Sequence, residues 1–240
     1  MTDPAPSARF DGWEDADWTA ADLLARIMRP LVGDAAESVA GQLLGRFGSL
    51  AAVLAAPRQE ILRLLGVWGE VCADGLGELH YIVVRVLRDG VVDRPLLATD
   101  ASLEAYLSAS LGHAPREQFR VLFMTAQRTL ITEEITGLGT IDHAPVYPRE
   151  IVRRALELGA AALILVHNHP SGDPRPSVAD LALTAQIERA CAVFDIVVID
   201  HLIIGHGQIH RWRQGQADPL TCVRETRRSR RAVRGTAGSG

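Results

Sequence analysis

His167, His169, Ser177 and Asp180 lie in one stretch with the spacing H-x-H, seven residues, S-x-x-D. Two imidazoles that are two positions apart on an extended strand project from the same face, so both can aim at one point. After a Pro/Gly loop, Ser177-Val178-Ala179-Asp180 opens a helical pattern. That puts Asp180 in the first helical turn, close enough to return a carboxylate to the same point. Two neutral imidazoles and a carboxylate suit a divalent transition metal, zinc above all. Three protein ligands leave one tetrahedral position for water, as catalytic rather than structural zinc sites do. Ser177 with Asp180 also reads as a helix N-cap and its acidic partner. The two roles coexist, because the geometry that caps the helix also aims Asp180.

The flanking pattern supplies the elements that must hold these groups. The apolar run 161–166 reads as a buried strand delivering the histidines, and 178–193 as the helix that follows. Pro148 starts a helix over 149–158, with Ile151, Val152, Ala155 and Leu156 facing inward. The near-continuous apolar run 196–204 marks a central strand, followed by the tight turn 205–208 and a short edge strand 209–212. Upstream, 118–124 reads as a strand, 125–128 as a turn and 129–136 as its hairpin partner, with Gly137 and Gly139 breaking the pattern. Strands and helices alternate irregularly, which predicts an α/β fold with a mixed sheet flanked by helices.

Before this region the chain is helical. Residues 1–18 read as a loose arm rich in Pro and Asp, with Trp13 and Trp18 as its large side chains. Over 19–90, Thr19 caps a first helix that stops near Gly33, Val39, Leu43 and Phe47 share the face of a second that ends at Gly48, and 50–54, 59–65 and 76–87 follow. Thr99 is the expected cap of a further helix over 100–111. The tail, 217–240, carries Arg224, Arg227, Arg228, Arg230, Arg231 and Arg234 against the single acid Glu225 beyond Leu220. It has too few apolar residues to fold alone.

With 240 residues, 48% of them hydrophobic, the chain has room for one medium domain and one small one. Its net charge of -4 argues against a protein whose whole surface grips nucleic acid. Cys72, Cys191 and Cys222 form neither a disulfide framework nor a C-x-x-C metal site. No apolar run is long enough to cross a bilayer and no secretory signal pattern opens the chain, so a cytoplasmic protein with no membrane partner is expected.

The wording His167-Asn168-His169-Pro170-Ser171-Gly172-Asp173-Pro174, with Pro176-Ser177, Asp180, Gly139-Thr140, Pro148-Arg149-Glu150-Ile151 and Asp200-His201, resembles the JAMM/MPN metalloprotease family, and within it the RadC-like proteins. The resemblance covers 98–216 strongly and the helical part weakly. It implies a JAMM-type α/β sandwich, zinc held by His167, His169 and Asp180, and hydrolysis of an amide bond in a peptide or protein substrate. It also implies a general base upstream of the histidines that is not a metal ligand. Glu117 matches that position, with Glu133 and Glu134 as rivals. Ser177 matches the serine that helps hold the oxyanion, while Asp200 and His201 read either as support for a ligand imidazole or as a structural pair.

The N-terminal part resembles the helix-hairpin-helix module of RadC-like proteins, entered at Phe47-Gly48-Ser49-Leu50. Where that pattern has a G-I-G turn followed by lysine, this chain has Gly66-Val67-Trp68-Gly69-Glu70. The resemblance also departs at Met124-Thr125 and at His210-Arg211-Trp212-Arg213, outside the ligand set. A second function remains open: a non-proteolytic, DNA-associated, repair-linked protein, making weak nucleic-acid contact through the helical module or the arginine tail.

Overall fold

The computed structural model describes residues 17–96, 100–139 and 146–213. Most of the N-terminal arm, Thr99, Thr140 and the basic tail therefore lie outside the described residues. The chain divides into two compact units between His80 and Tyr81, a division that falls inside one long helix.

The first unit is helical. α1 (Ala20–Val32) begins at Thr19, whose hydroxyl accepts the Asp22 N–H while the Asp22 carboxylate accepts the Thr19 N–H. This reciprocal pair satisfies two amides that have no partner within the helix. α2 (Ala36–Phe47), α3 (Leu50–Leu54) and α4 (Arg58–Leu65) follow, and Leu24, Met28, Val39, Leu43, Val53, Ile61 and Leu76 close a common core. A 3-10 turn over Gly66–Trp68 runs directly into α5 (Gly69–Asp89), so helix begins seven residues earlier than the expected 76–87 segment. Burial of Cys72, Ala73 and Leu76 on one face of that first part accounts for the extension.

The second unit is built on a five-stranded mixed sheet with order β2-β1-β3-β4-β5. Its strands are β1 (Gln118–Met124), β2 (Leu130–Leu138), β3 (Ala162–Asn168), β4 (Val197–Ile204) and β5 (Ile209–Arg211). β1 is antiparallel to both β2 and β3, β3 is parallel to β4, and β5 closes antiparallel to β4. β2 runs on through Gly137 instead of breaking there, because Gly137 pairs with Phe119 across a register shift that skips Thr136. Every residue of β3 is buried, as its apolar run requires for a central strand.

Alternation along the strands sorts the side chains onto two faces. Leu122, Met124, Ile164 and Val166 pack on one face with Leu103, Tyr106, Leu107 and Leu111 of α6 (Ala101–Leu111). The described cap of α6 is Asp100, which accepts the Ser102 N–H. Phe119, Val121, Phe123, Leu163 and Leu165 pack on the other face, with Ile151 and Ala155 of α7 (Pro148–Leu158) and Ile187 and Cys191 of α8 (Val178–Ala192). α8 is the crossover between the parallel strands β3 and β4, so its first turn lies over the C-terminal end of β3.

β4 contains one extra residue. Leu163 pairs with Val198 but Ile164 pairs with Asp200, leaving Ile199 as a bulge. Val198 belongs to the α7/α8 cluster, whereas Ile199, Leu202 and Ile204 belong to the α6 cluster. The bulge thus reverses the phase of the strand, turning His201 rather than Asp200 toward α8.

Two contacts lock the loops at this end of the sheet. The Asn168 side chain accepts the Gln118 N–H at 2.9 Å and donates to the Arg116 carbonyl at 3.1 Å, tying β3 to the segment before β1. The loop after the histidines meets the turn after β4 backbone to backbone, since His206 N–H donates to the Gly172 carbonyl at 3.0 Å. A Cβ added at Gly205 would lie 2.2 Å from the Gly172 oxygen, and one added at Gly172, whose φ is +85°, would meet the His206 ring at 2.5 Å.

Gly205→Ala is therefore expected to lower stability by about 1–3 kcal/mol through overpacking, read in urea unfolding. An unchanged midpoint would mean the two loops separate without strain. Asn168→Ala strands the Gln118 amide and is expected to cost about 1–3 kcal/mol, with faster hydrogen exchange at that amide. Unchanged exchange there would show that the contact does not hold β1.

Candidate metal centre

His167 follows Leu163 and Leu165 onto the α8 face and is only 1% exposed. Its ring stacks on Phe119 with centroids 5.9 Å apart. His169, just past the strand end, is held by its own backbone N–H to the Ile204 carbonyl at 3.0 Å. The two Nε2 atoms come to 2.9 Å of each other. Asp180 completes the group, with Oδ1 3.3 Å from His167 Nε2 and Oδ2 3.5 Å from His169 Nε2. One ligand atom from each of the three residues lies within 4.8 Å of the others, so the cluster can hold a metal ion.

The chemistry of the donors fits such an ion. His169 Nδ1 is 2.7 Å from the Asp173 carbonyl, which only accepts, so Nδ1 carries the hydrogen and Nε2 of the neutral ring presents a lone pair to the cluster. Burial alone would raise the Asp180 carboxyl. Its contacts with His167, His169 and Ser177 outweigh burial and hold it well below the usual carboxylate range. The pKa of His169 is raised in turn, chiefly by the Asp180 carboxylate that its protonated form would meet, against burial and with help from Asp173 and Glu117. Imidazole nitrogens and an ionised carboxylate facing one point are the donor set of a divalent transition metal.

Ser177 caps α8. Its hydroxyl and its backbone N–H both donate to Asp180 Oδ2 at 2.7 Å, and its Oγ accepts the Asp180 N–H at 3.2 Å. The capping box and the cluster therefore share one carboxylate.

The three acids considered upstream have different surroundings. Glu133 is half-buried, its side chain 8% exposed, and accepts hydrogen bonds from Tyr106 Oη at 2.5 Å and Arg120 at 2.9 Å. Glu134 is clamped by the Arg154 guanidinium at 2.7 and 2.9 Å. Glu117 is half-buried beside the histidines, close enough for its charge to raise His169. Its carbonyl accepts the Gly139 N–H at 3.0 Å, and the next amide, Gln118, is held by Asn168.

Asp200 and His201 separate into two roles. The Asp200 carboxylate accepts the backbone N–H groups of His201 at 2.8 Å and Arg213 at 2.9 Å, while burial pushes its pKa up. His201 instead reaches the cluster, with Nε2 2.8 Å from His167 Nδ1. It is fully buried, and burial pushes the imidazolium far below its ordinary range, so the ring is neutral. Thr184, absent from the sequence reading, lies behind it, with Oγ1 2.6 Å from His201 Nδ1. Its signal was its position four residues after Asp180, one turn along the same helix face.

Comparison with known proteins agrees with this geometry. The RadC-like JAB domain family matches residues 97–216. A UPF0758 protein of Rhodobacter capsulatus is 46% identical over 182 residues, covering 76% of this chain and 85% of its own length. On both findings the chain belongs to the RadC-like JAB domain family.

Proposed function

We propose that the protein is a zinc-dependent peptidase or isopeptidase of the JAMM type, hydrolysing an amide bond in a peptide or protein substrate. The observation that carries this reading is the convergence of His167, His169 and Asp180 at one point, beside a carboxylate, Glu117, on a separately anchored segment. His167, His169 and Asp180 would hold the zinc, which supplies Lewis acidity that polarises an amide carbonyl and acidifies water.

The chain's own groups supply the rest. Glu117 takes the proton of the attacking water and delivers it to the leaving amine. Its neighbours suit this use better than those of its rivals, since Glu133 and Glu134 are already engaged by arginines. Ser177, at the start of α8, turns its hydroxyl from Asp180 Oδ2 to the negative charge that develops on the carbonyl oxygen, while its backbone N–H keeps its bond to the carboxylate. The alternative of nucleic-acid binding through the helical unit finds little support at its hairpin turn, because α5 opens with Glu70 in its first turn, where an incoming phosphate would meet like charge.

Elemental analysis of the purified protein is expected to give about one zinc per chain, lost in a His167→Ala/His169→Ala variant. Absence of zinc from the wild type after reconstitution at neutral pH would end the reading. Glu117→Gln is expected to keep the zinc and to lower cleavage of a peptide library by about 10²–10⁴-fold. Undiminished cleavage in that variant would move the base to another acid.

A further inference from the structure

Thr184 Oγ1 touches two groups in the buried interior of the second unit: the Asp180 backbone carbonyl at 2.6 Å and His201 Nδ1 at 2.6 Å. A hydroxyl has one hydrogen to give. The Asp180 carbonyl oxygen can only accept, so at that distance the Thr184 hydrogen points to it. The contact with His201 then holds only if Nδ1 carries the hydrogen and Thr184 accepts. The His201 ring is buried between a hydroxyl and an imidazole, where a charged ring would lack a carboxylate partner, so with its hydrogen on Nδ1 it has a lone pair at Nε2, which lies 2.8 Å from His167 Nδ1. That lone pair accepts from His167 Nδ1–H and leaves His167 Nε2 bare, facing His169 and Asp180.

We infer that Thr184 and His201 form a hydrogen-bond relay that sets the tautomer of His167, so that its Nε2 is always presented to the metal. The relay rests on the reading of the cluster as a zinc site. Thr184 and His201 are positioning residues and do not touch the metal. His169 needs no relay, because the Asp173 carbonyl sets its tautomer directly. His167 lies inside β3, where neighbouring backbone carbonyls are taken up by the sheet. A side-chain partner must do for it what a loop carbonyl does for His169, and a histidine serves only if something fixes its own tautomer. Both Thr184 and His201 are buried, 0% and 1% exposed, so water cannot take over either hydrogen bond.

The test is made on the full chain with zinc alone as probe. Zinc affinity is measured by competition with a chromophoric chelator for wild type, Thr184→Val and Thr184→Ser. Thr184→Val keeps the shape and removes the acceptor. It is expected to weaken zinc binding by about 10–100-fold, while Thr184→Ser restores wild-type affinity. Equal affinity in Thr184→Val and wild type would overturn the relay. The second measurement needs no variant: ring nitrogen-15 chemical shifts of the zinc-free wild type, where His201 is expected as the Nδ1–H tautomer. An Nε2–H tautomer at His201 would overturn the relay even if Thr184→Val fails to fold. A wild type that takes up no zinc would reject the metal reading instead, a result distinct from either of these.

Discussion

The Asp180 carboxylate carries the arrangement at this end of the sheet. One of its oxygens accepts both donors of Ser177, which starts α8, and both oxygens face the imidazoles of His167 and His169. A half-buried carboxylate loses hydration and stays ionised only when hydrogen bonds and nearby positive charge replace water. Here the hydroxyl and backbone N–H of Ser177 supply the hydrogen bonds at the helix start, and the two imidazoles line the other side of the carboxylate. The orientation of α8 over β3 and the geometry of the cluster are therefore not separable: a helix displaced by one turn would lose its cap and its third donor at once.

The sheet explains why this meeting happens where it does. Parallel strands joined by a crossover helix place the helix start over the strand ends, and ligand sites collect there. β3 and β4 form the parallel pair, α8 is their crossover, and His167 is the last inward-facing residue on β3. Asn168 points to the opposite side and uses that position to fasten the segment bearing Glu117. Three consecutive residues thus divide the work: His167 and His169 aim at the cluster, and the residue between them holds the neighbouring strand.

Much of this was legible in the sequence, for definite physical reasons. The H-x-H spacing is read through the two-residue period of a strand, and S-x-x-D through capping chemistry. Both are local rules, and both survived folding. What was not legible depends on longer-range pairing. His201 reaches His167 only because Ile199 bulges and reverses the phase of β4; strict alternation from Val198 would have turned Asp200 to that face. Thr184 has ordinary helix surroundings in sequence and gains a role only once His201 is opposite it. β2 continues through Gly137 because pairing with β1 overrides the local weakness of glycine in a strand. The early start of α5 likewise reflects burial of Cys72 and Ala73 in the helical core, which a turn rich in glycine conceals.

The fate of the three upstream glutamates follows the same logic. β2 is an edge strand, yet its acids are not left to solvent: the Glu133 side chain, 8% exposed, is held by Arg120 and Tyr106, and Glu134 by Arg154 of α7. Groups tied in this way serve the sheet, and moving a proton through them would break the ion pairs that hold them. Glu117 stands before the strand begins, where the backbone is anchored but the side chain is not part of the sheet's pairing. In the hydrolytic reading proposed above, the proton carrier alternates between two charge states beside the histidines, which a carboxylate outside the structural ion pairs does without loosening the fold that positions it.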